Sequence, residues 1–127
     1  MTLAHEQLTM NDAFRSPHVV EREVLEKLLE CDFPGCKELR TQLKSATVRA
    51  LDEDGSLGLR VMDAKPAPVK YRVPVEGSYV DDDGVIAHVL LHVVDGIMSE
   101  LEIFKENRSA VRQPPTAVSL VVTPQAI

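Results

Sequence analysis

The stretch from Val85 to Lys105 constrains the fold more than any other part of the chain. Two runs of alternating apolar and polar residues flank Asp95-Gly96, and an Asp-Gly pair between such runs is a strong signal for a tight β-hairpin turn. A loop of only two residues would pair Val94 with Ile97. It would then place the apolar row of the first strand on the same face as Met98, Glu100 and Glu102, which mixes core and acidic residues.

A loop of three residues, with Gly96 as a left-handed bulge, sorts the two faces more cleanly. It pairs Val93 with Ile97, and a shift of one residue in the pairing moves every side chain across the sheet. The predicted buried face holds Val85, Ala87, Val89, Leu91, Val93, Ile97, Ser99, Leu101 and Ile103. The predicted outward face holds Ile86, His88, Leu90, His92, Met98, Glu100, Glu102 and Phe104. We therefore predict the bulged turn.

Helical periodicity characterises the segment before these strands. Ser16 and Pro17 have the residue types of an N-cap and a first helical position, and an apolar stripe follows at helical spacing. The stripe consists of Val20, Val24, Leu25, Leu28 and Leu29. Phe33-Pro34-Gly35 ends this helix, and a second helix is predicted from Cys36 to Lys44.

Alternating patterns follow the second helix. We predict strands at 47–51 and 57–62, separated by an acidic turn. A third strand is predicted at 69–75, where Pro74 cannot donate a hydrogen bond and so marks an edge or an end. The segment from Val118 to Val122 also alternates, and it is either a last strand or a tail.

These elements predict one α+β domain over residues 1–127. Two N-terminal helices pack on one face of a mainly antiparallel sheet of five or six strands, and a chain of this length can bury a core without disulfides. Residues 1–15 are interpreted as a leader. Residues 108–127 are interpreted as a C-terminal segment, loosely attached if it forms no strand.

Charge is distributed unevenly in this acidic chain, whose net charge is −6. No Lys or Arg occurs between Arg72 and Lys105, although seven acidic residues do. They are Glu76, Asp81, Asp82, Asp83, Asp95, Glu100 and Glu102. Such a balance disfavours nucleic acid and anionic membranes as partners, because both require a basic face. The acidic segment is either a solvated edge of the sheet or a docking face for a basic partner.

The N-terminus predicts a cytoplasmic location. It lacks the basic start and the apolar run of a signal peptide, and no segment has the ~20 apolar residues of a membrane helix. Cys31 and Cys36 are then expected to be reduced, structural thiols. Their spacing has no second cysteine pair that would complete a zinc site.

The run Val80-Asp81-Asp82-Asp83-Gly84-Val85 raises the question of a calcium site. A helix-loop-helix calcium loop needs acidic ligands at its first and twelfth positions, but alignment on Gly84 places Tyr79 and Leu90 there. Asp side chains also accept local backbone N–H groups, and Gly supplies the unusual dihedral of a tight turn. We therefore interpret the run as a turn.

A row of His88, His92, Glu100 and Glu102 on the outward face offers metal ligands or an acid–base pair. The two histidines lie four residues apart on one strand, or ~13 Å, so both cannot bind one ion. The predicted register places His88 opposite Glu102, with Glu100 diagonal to it. A site of one His and two Glu is the alternative to a solvent-facing cross-strand pair.

Motifs for other chemistry are absent from the sequence. It contains no G-x-S-x-G nucleophile motif, no P-loop and no dinucleotide-binding G-x-G-x-x-G. We predict no catalytic residues, no metal and no cofactor.

The segment from Tyr79 to Lys105 resembles a family of small bacterial proteins known only as a domain of unknown function. The likeness lies in D-x-D-G-V, an apolar strand, and G-x-x-x-E-L-x-I followed by an aromatic residue. It extends back to the helix near Glu21. The resemblance implies a fold but no activity. Many family members are similar to single-domain proteins encoded beside bacterial toxins, which is an association and not a mechanism.

The predicted function is that of a non-enzymatic, acidic protein-binding module of the immunity or antitoxin type. Its partner is expected to be a basic protein, such as a toxin domain, and a homodimer is an alternative use of the same face. The candidate partner-binding residues are Ile86, His88, Leu90, Glu100, Glu102 and Phe104. Two other hypotheses remain open: an accessory or structural domain, and a small metal-dependent hydrolase using His88, Glu100 and Glu102.

Overall fold

The computed structural model describes residues 13–125. In this part of the chain, two helices are followed by six strands that form a single sheet. The helices are α1 (Val19–Leu29) and α2 (Cys36–Leu43). The strands are β1 (Thr47–Ala50), β2 (Leu57–Arg60), β3 (Val75–Val80), β4 (Ile86–Val94), β5 (Ile97–Lys105) and β6 (Val121–Pro124). Most of the predicted leader, 1–15, lies outside the described residues.

The strands are ordered β1-β2-β5-β4-β3-β6, and every neighbouring pair is antiparallel. The predicted α+β fold is thereby confirmed. The two longest strands, β4 and β5, have nine residues each and lie at the centre. They therefore contribute most to both faces of the sheet.

Helix α1 begins later than its sequence signals predict. Its N-cap is His18 and not Ser16, so the predicted cap is wrong. The carboxylate of Glu21 accepts the N–H of His18 at 2.8 Å and also pairs with Arg15 at 2.8 Å. These contacts fix the entry of the chain, because they satisfy an N–H that the helix leaves without a partner.

The predicted third strand is also wrong, since residues 69–74 form no strand and β3 begins at Val75. Pro68 and Pro74 lack the N–H that a ladder requires, whereas every residue of β3 can donate. Val69 instead packs against the core from a loop. The alternation that suggested a strand therefore reflects one side of an irregular segment.

The hairpin of β4 and β5 turns on two residues, so the predicted three-residue loop is wrong. Val94 pairs with Ile97, and both Asp95 (φ 52°) and Gly96 (φ 79°) have left-handed backbones. Such dihedrals define the two-residue turn that Asp-Gly favours. The tight turn therefore forms, although the separation of apolar and acidic side chains onto two faces had favoured a longer loop.

A β-bulge within β5 resolves this conflict. Val93 pairs with Met98, but His92 pairs with Glu100, so Ser99 is an extra residue on β5. An extra residue on one strand returns the later side chains to the opposite face. Met98 precedes the bulge and pairs with the buried Val93, so it lies in the core, at 1% exposure, and not on the outward face as predicted.

The core lies between the helices and one face of the sheet. The predicted helical residues Val24, Leu25, Leu28 and Leu29 belong to the same buried cluster as Val89, Leu91, Leu101 and Ile103. The face assignment beyond the bulge is therefore correct, although the pairing partners are shifted. Helix α1 contacts β3 and helix α2 contacts β5.

The C-terminal segment forms a strand, β6, on the edge next to β3. Leu120 precedes it and is buried, and its side chain occupies the space where a Cβ on Gly77 would lie. The N–H of Val111 donates to Asp54 Oδ1 at 2.9 Å, and Tyr79 Oη donates to the carbonyl of Gln113 at 2.8 Å. The segment is thus attached to the rest of the molecule at residues 111–113 and at residues 120–124.

Candidate interaction face of the sheet

The six candidate partner-binding residues lie together on the face of β4 and β5 that points away from the helices. We call this set the outer face: Ile86, His88, Leu90, Glu100, Glu102 and Phe104. Ile86 is 38% exposed, and the other five are half-buried. In the described part of the chain, both helices pack against the opposite face.

His88 and Phe104 are cross-strand partners and their rings stack. The ring centroids are 5.2 Å apart and the ring planes differ by 26°. His88 Nε2 lies 3.0 Å from Glu106 Oε1. This bond holds the imidazole edge towards solvent while its face covers the aromatic ring.

His92, and not His88, contacts Glu102, so the predicted pairing of His88 with Glu102 is wrong. His92 Nε2 lies 2.8 Å from Glu102 Oε1. Arg72 Nε lies 3.2 Å from His92 Nδ1 and donates to it. The cause is the bulge at Ser99, which places His92 opposite Glu100 and beside Glu102.

One ligand atom from each of His92, Glu100 and Glu102 lies within 4.8 Å of the others. A histidine that binds a metal through Nε2 carries its proton on Nδ1 and donates it to an acceptor. Here Nδ1 faces Arg72, whose N–H can only donate. The proton of the neutral ring therefore lies on Nε2 and points to Glu102. The arrangement is a hydrogen-bonded chain from Arg72 through His92 to Glu102, and a bound cation would require both outer members to rearrange.

A basic cluster adjoins the outer face on the side of β1 and β2. The guanidinium carbons of Arg49 and Arg60 lie 5.2 and 4.2 Å from the ring centroid of Phe14. Gly58, on β2, pairs with Glu100 on β5. Arg49 pairs with Gly58, so these arginines lie on the same face of the sheet as Glu100. The sequence analysis missed this proximity because the arginines lie far from Glu100 in the chain.

The aspartate run at 81–83 forms a turn, and its cation is a lysine of the same chain. The turn is closed by the N–H of Gly84, which donates to the carbonyl of Asp81 at 2.9 Å. Lys105 is 1% exposed, and its Nζ lies 3.0 Å from Asp81 Oδ2 and also pairs with Asp83. The ammonium therefore occupies the position between carboxylates that a metal ion would need.

Asp81 is buried, and its carboxylate is surrounded by donors. Burial raises the pKa of Asp81, but the backbone N–H groups of Arg112, Asp82 and Gln113 and the ammonium of Lys105 outweigh burial and lower that pKa to about 2. The amide donors lie 2.7, 2.8 and 3.0 Å from its oxygens. Donors to the charged form stabilise it, so Asp81 is a structural anion and not a free ligand.

Only part of the acidic segment remains for binding. Asp81 and Asp83 are paired with Lys105, and Asp82 is paired with Arg112. Asp95 lies in the hairpin turn. The outer face keeps Glu100 and Glu102, with the exposed Glu76 on β3 and Glu106 after β5 on its borders. The continuous acidic edge that the sequence suggests is therefore reduced to a smaller set of glutamates.

The fold and the outer face define a class of small α+β protein, with one face of an antiparallel sheet covered by two helices and the other face mixed apolar and acidic. The chain belongs to the family described as a domain of unknown function (DUF6984), whose model matches residues 14–115. The predicted membership of a domain-of-unknown-function family is confirmed. The match includes β1 to β5 and ends before β6.

Further comparisons add no relative. No curated protein and no solved structure matches the chain. Among residues 13–125, neither helix is long and apolar enough to cross a membrane.

Proposed function

We propose that this chain is a non-enzymatic binding module that holds a basic protein partner on its outer face. The observation that carries the proposal is the composition of that face. Three apolar side chains lie among His88, Glu100 and Glu102 on the two longest strands, while the core is supplied by the opposite face.

The apolar residues Ile86, Leu90 and Phe104 supply the centre of the proposed interface. A cluster of partly exposed large apolar side chains is characteristic of interaction surfaces. Binding energy is concentrated in a few such residues that lose contact with water completely. Phe104 is the strongest candidate for such a residue, because its ring is already held in place by the stack on His88.

The glutamates of this surface orient a basic partner and raise its rate of association. Glu100 and Glu102 lie beside this centre, and the exposed Glu76 and Glu106 flank it. Complementary charge speeds association and is screened by salt. A basic partner surface fits this arrangement.

The biological role we propose is of the immunity or antitoxin type, in a bacterial cytoplasm, with a basic toxin domain as the partner. Free thiols persist in a reducing compartment, and neither Cys31 nor Cys36 forms a disulfide. A bound toxin domain is neutralised simply by covering its basic surface, which requires no catalytic residue on this chain.

The experiment is affinity capture from the native host with four forms of the full chain as bait. These are the wild type, Phe104→Ala, the double variant Glu100→Gln/Glu102→Gln, and a control with Glu23→Gln/Glu26→Gln on the exposed side of α1. We expect the wild type and the control to retain the same basic protein and Phe104→Ala to lose it.

Binding kinetics then separate the roles of the residues. With the captured protein immobilised, the double glutamine variant should associate more slowly and with a weaker salt dependence, and Phe104→Ala should dissociate faster. Equal binding by all four forms, with circular dichroism showing each folded, would contradict the proposal and favour the accessory or structural alternative. A captured partner that is not basic would also contradict it.

The metal-dependent hydrolase is the second candidate, and the proximity of His92, Glu100 and Glu102 is the observation that favours it. The sequence analysis named His88 for this site, but His88 contacts Glu106 and His92 lies beside the two glutamates instead. Calorimetric titration with zinc tests it. We expect no saturable binding by the wild type, because Arg72 occupies the second ring nitrogen; stoichiometric binding that is lost in His92→Ala would support the hydrolase.

A further inference from the structure

The two edges of the sheet end differently among residues 13–125. At the β1 edge, Arg15 and Val48 exchange backbone hydrogen bonds of 2.8 and 2.7 Å, so part of the chain caps β1. At the other edge, β6 pairs with β3 on one side, and no described strand pairs with its second side. The open edge of the described sheet is therefore that of β6.

The backbone of β6 directs a donor and an acceptor out of the sheet at Val122. In an antiparallel pair, residues that bond the neighbouring strand alternate with residues whose N–H and C=O point away from it. The N–H of Gln125 donates to the carbonyl of Pro74 at 2.9 Å. Thr123 and Val121 therefore also face β3, and the N–H and C=O of Val122, between them, face outward.

The side chains near this edge carry no charge that would protect it. Edge strands of monomers are commonly shielded by charged residues or covered by other elements. Residues 113–125 contain no charged residue, in a chain whose net charge is −6. Val118 is 98% exposed and Val121 is 67% exposed. Pro124 is the one residue of β6 that blunts the edge, because it lacks an N–H.

The distribution of charge indicates what can pair with the open edge of β6. A second copy of this chain also carries a net charge of −6, so most of its surface is repelled by the first copy. The uncharged segment at 113–125 is where two copies approach without that repulsion. Val121 of each copy also offers exposed apolar area to the other.

We propose that β6 pairs with β6 of a second copy and joins two six-stranded sheets into one continuous antiparallel sheet. A two-fold axis at Val122 lets its N–H donate to the carbonyl of the same residue in the second copy, and the reverse. Such an interface is self-complementary. Because the β1 edge is capped, the assembly stops at two chains. This inference is independent of the proposed function, which uses the outer face.

The experiment measures self-association of the full chain and locates it. A contact through one four-residue strand lies at the small end of interface sizes, so we expect a reversible dimer whose fraction rises from about 1 µM to about 1 mM in sedimentation velocity. Amide hydrogen exchange of Val122, followed by NMR over the same series, should slow as the dimer forms.

Two variants and a matched control test the contact. Val121→Lys places like charges on both sides of the axis, and Val122→Pro removes the outward N–H without removing a bond to β3. The control is Met62→Lys, which adds the same charge at a residue that is 68% exposed and lies near α2. We expect each β6 variant to weaken dimerisation at least tenfold and the control to leave it unchanged.

Three outcomes would overturn the proposal. The first is a wild type that stays monomeric throughout the series. The second is a folded Val121→Lys variant that dimerises like the wild type, which decides the matter even if Val122→Pro does not fold. The third is a dimer in which the exchange of the Val122 amide is unchanged, since that would place the interface elsewhere.

Discussion

Lys105 is a fully buried cation, and its ammonium lies between the carboxylates of Asp81 and Asp83. Removing a charge from water is unfavourable unless partners satisfy it. Asp81 in turn accepts the N–H groups of Arg112 and Gln113, so this cluster joins the end of β5, the turn after β3 and the C-terminal segment. At the residue scale, two ion pairs and the hydrogen bonds of Asp81 thus determine how three parts of the chain meet.

The first prediction concerns acid stability. The pKa of Asp81 is lowered from 3.8 to about 2, so folding favours the ionised form. Its contribution is present above pH ~4 and is lost as the pH falls from there through about 2. Urea denaturation of the wild type between pH 5 and pH 2 should show this loss of stability. Asp81→Asn should be less stable at pH 7 and depend less on pH in the acid range, whereas Asp63→Asn, at an exposed aspartate outside this cluster, should follow the wild type.

Gln42 is a second residue whose side chain connects distant segments. It is 3% exposed. Its Nε2 donates to the carbonyls of Lys65 and Gly96 at 3.0 and 2.9 Å, and its Oε1 accepts the N–H of Met98 at 3.0 Å. Helix α2 is thereby fastened to the turn between β4 and β5.

The second prediction follows from these three hydrogen bonds. Gln42→Leu keeps the side-chain size but leaves the buried N–H of Met98 without its partner. We expect it to lower the free energy of unfolding by roughly 1–3 kcal/mol, the cost of an unsatisfied buried polar group. The control is the neighbouring, exposed Thr41→Ala. Equal stability of the two variants in chemical denaturation would show that water replaces the lost bonds.

At the element scale, the hairpin of β4 and β5 is the structure on which both faces depend. Its turn is held from outside, because the carbonyl of Gly96 accepts the N–H of Ala67 at 2.8 Å as well as the amide of Gln42. With the turn fixed at two residues, the bulge at Ser99 restores the separation of apolar and acidic side chains. The turn and the bulge together therefore determine which side chains of β5 face the core.

The third prediction compares two glycines with the same backbone conformation. Gly96 (φ 79°) and Gly84 (φ 82°) are both left-handed. A Cβ on Gly96 would lie 2.7 Å from Pro66 Cβ and 2.8 Å from the nitrogen of Ala67, whereas a Cβ on Gly84 would meet nothing within 4 Å. Gly84→Ala should cost only the strain of the left-handed backbone, about 1–2 kcal/mol. Gly96→Ala should cost clearly more.

Thermal and chemical denaturation of the two alanine variants test this comparison. If Gly96→Ala is no less stable than Gly84→Ala, the contact between the turn and residues 66–67 is not tight in solution, and the turn is set by Asp95-Gly96 alone.

At the scale of the whole molecule, the C-terminal segment is part of the packed structure. Leu120 is 5% exposed and packs where Gly77 leaves space on β3. Asp54, Asp81 and Tyr79 hold residues 111–113. The sheet therefore gains its sixth strand through contacts made both before β6 and within it.

The fourth prediction tests the packing of this segment by truncating two apolar residues, Leu120 and Val118, that differ in burial. Leu120→Ala should lower the free energy of unfolding by roughly 2–5 kcal/mol, as expected for a buried leucine. Val118→Ala, at a side chain that is 98% exposed, should have almost no effect. Similar stability of the two variants would mean that residues 118–124 do not pack against β3 in solution.

The sequence by itself determined the elements whose signals are local. Helix α2, the strands β1 and β2 and the central hairpin follow from apolar periodicity and from Asp and Gly turns, because these depend on neighbours within a few residues. The same periodicity predicts which side chains of β4 and β5 are buried beyond the bulge, and it predicts that Ile86, His88, Leu90, Glu100, Glu102 and Phe104 share a face.

Tertiary structure alone decided the features that rest on contacts between distant residues. Gln42 and Ala67 bond the turn that precedes the bulge at Ser99, and with this bulge Glu102 contacts His92 instead of His88. The pairing of Lys105 with Asp81 and Asp83 joins residues more than twenty positions apart. No local pattern reports such pairs, since their energy appears only once the strands between them have been placed.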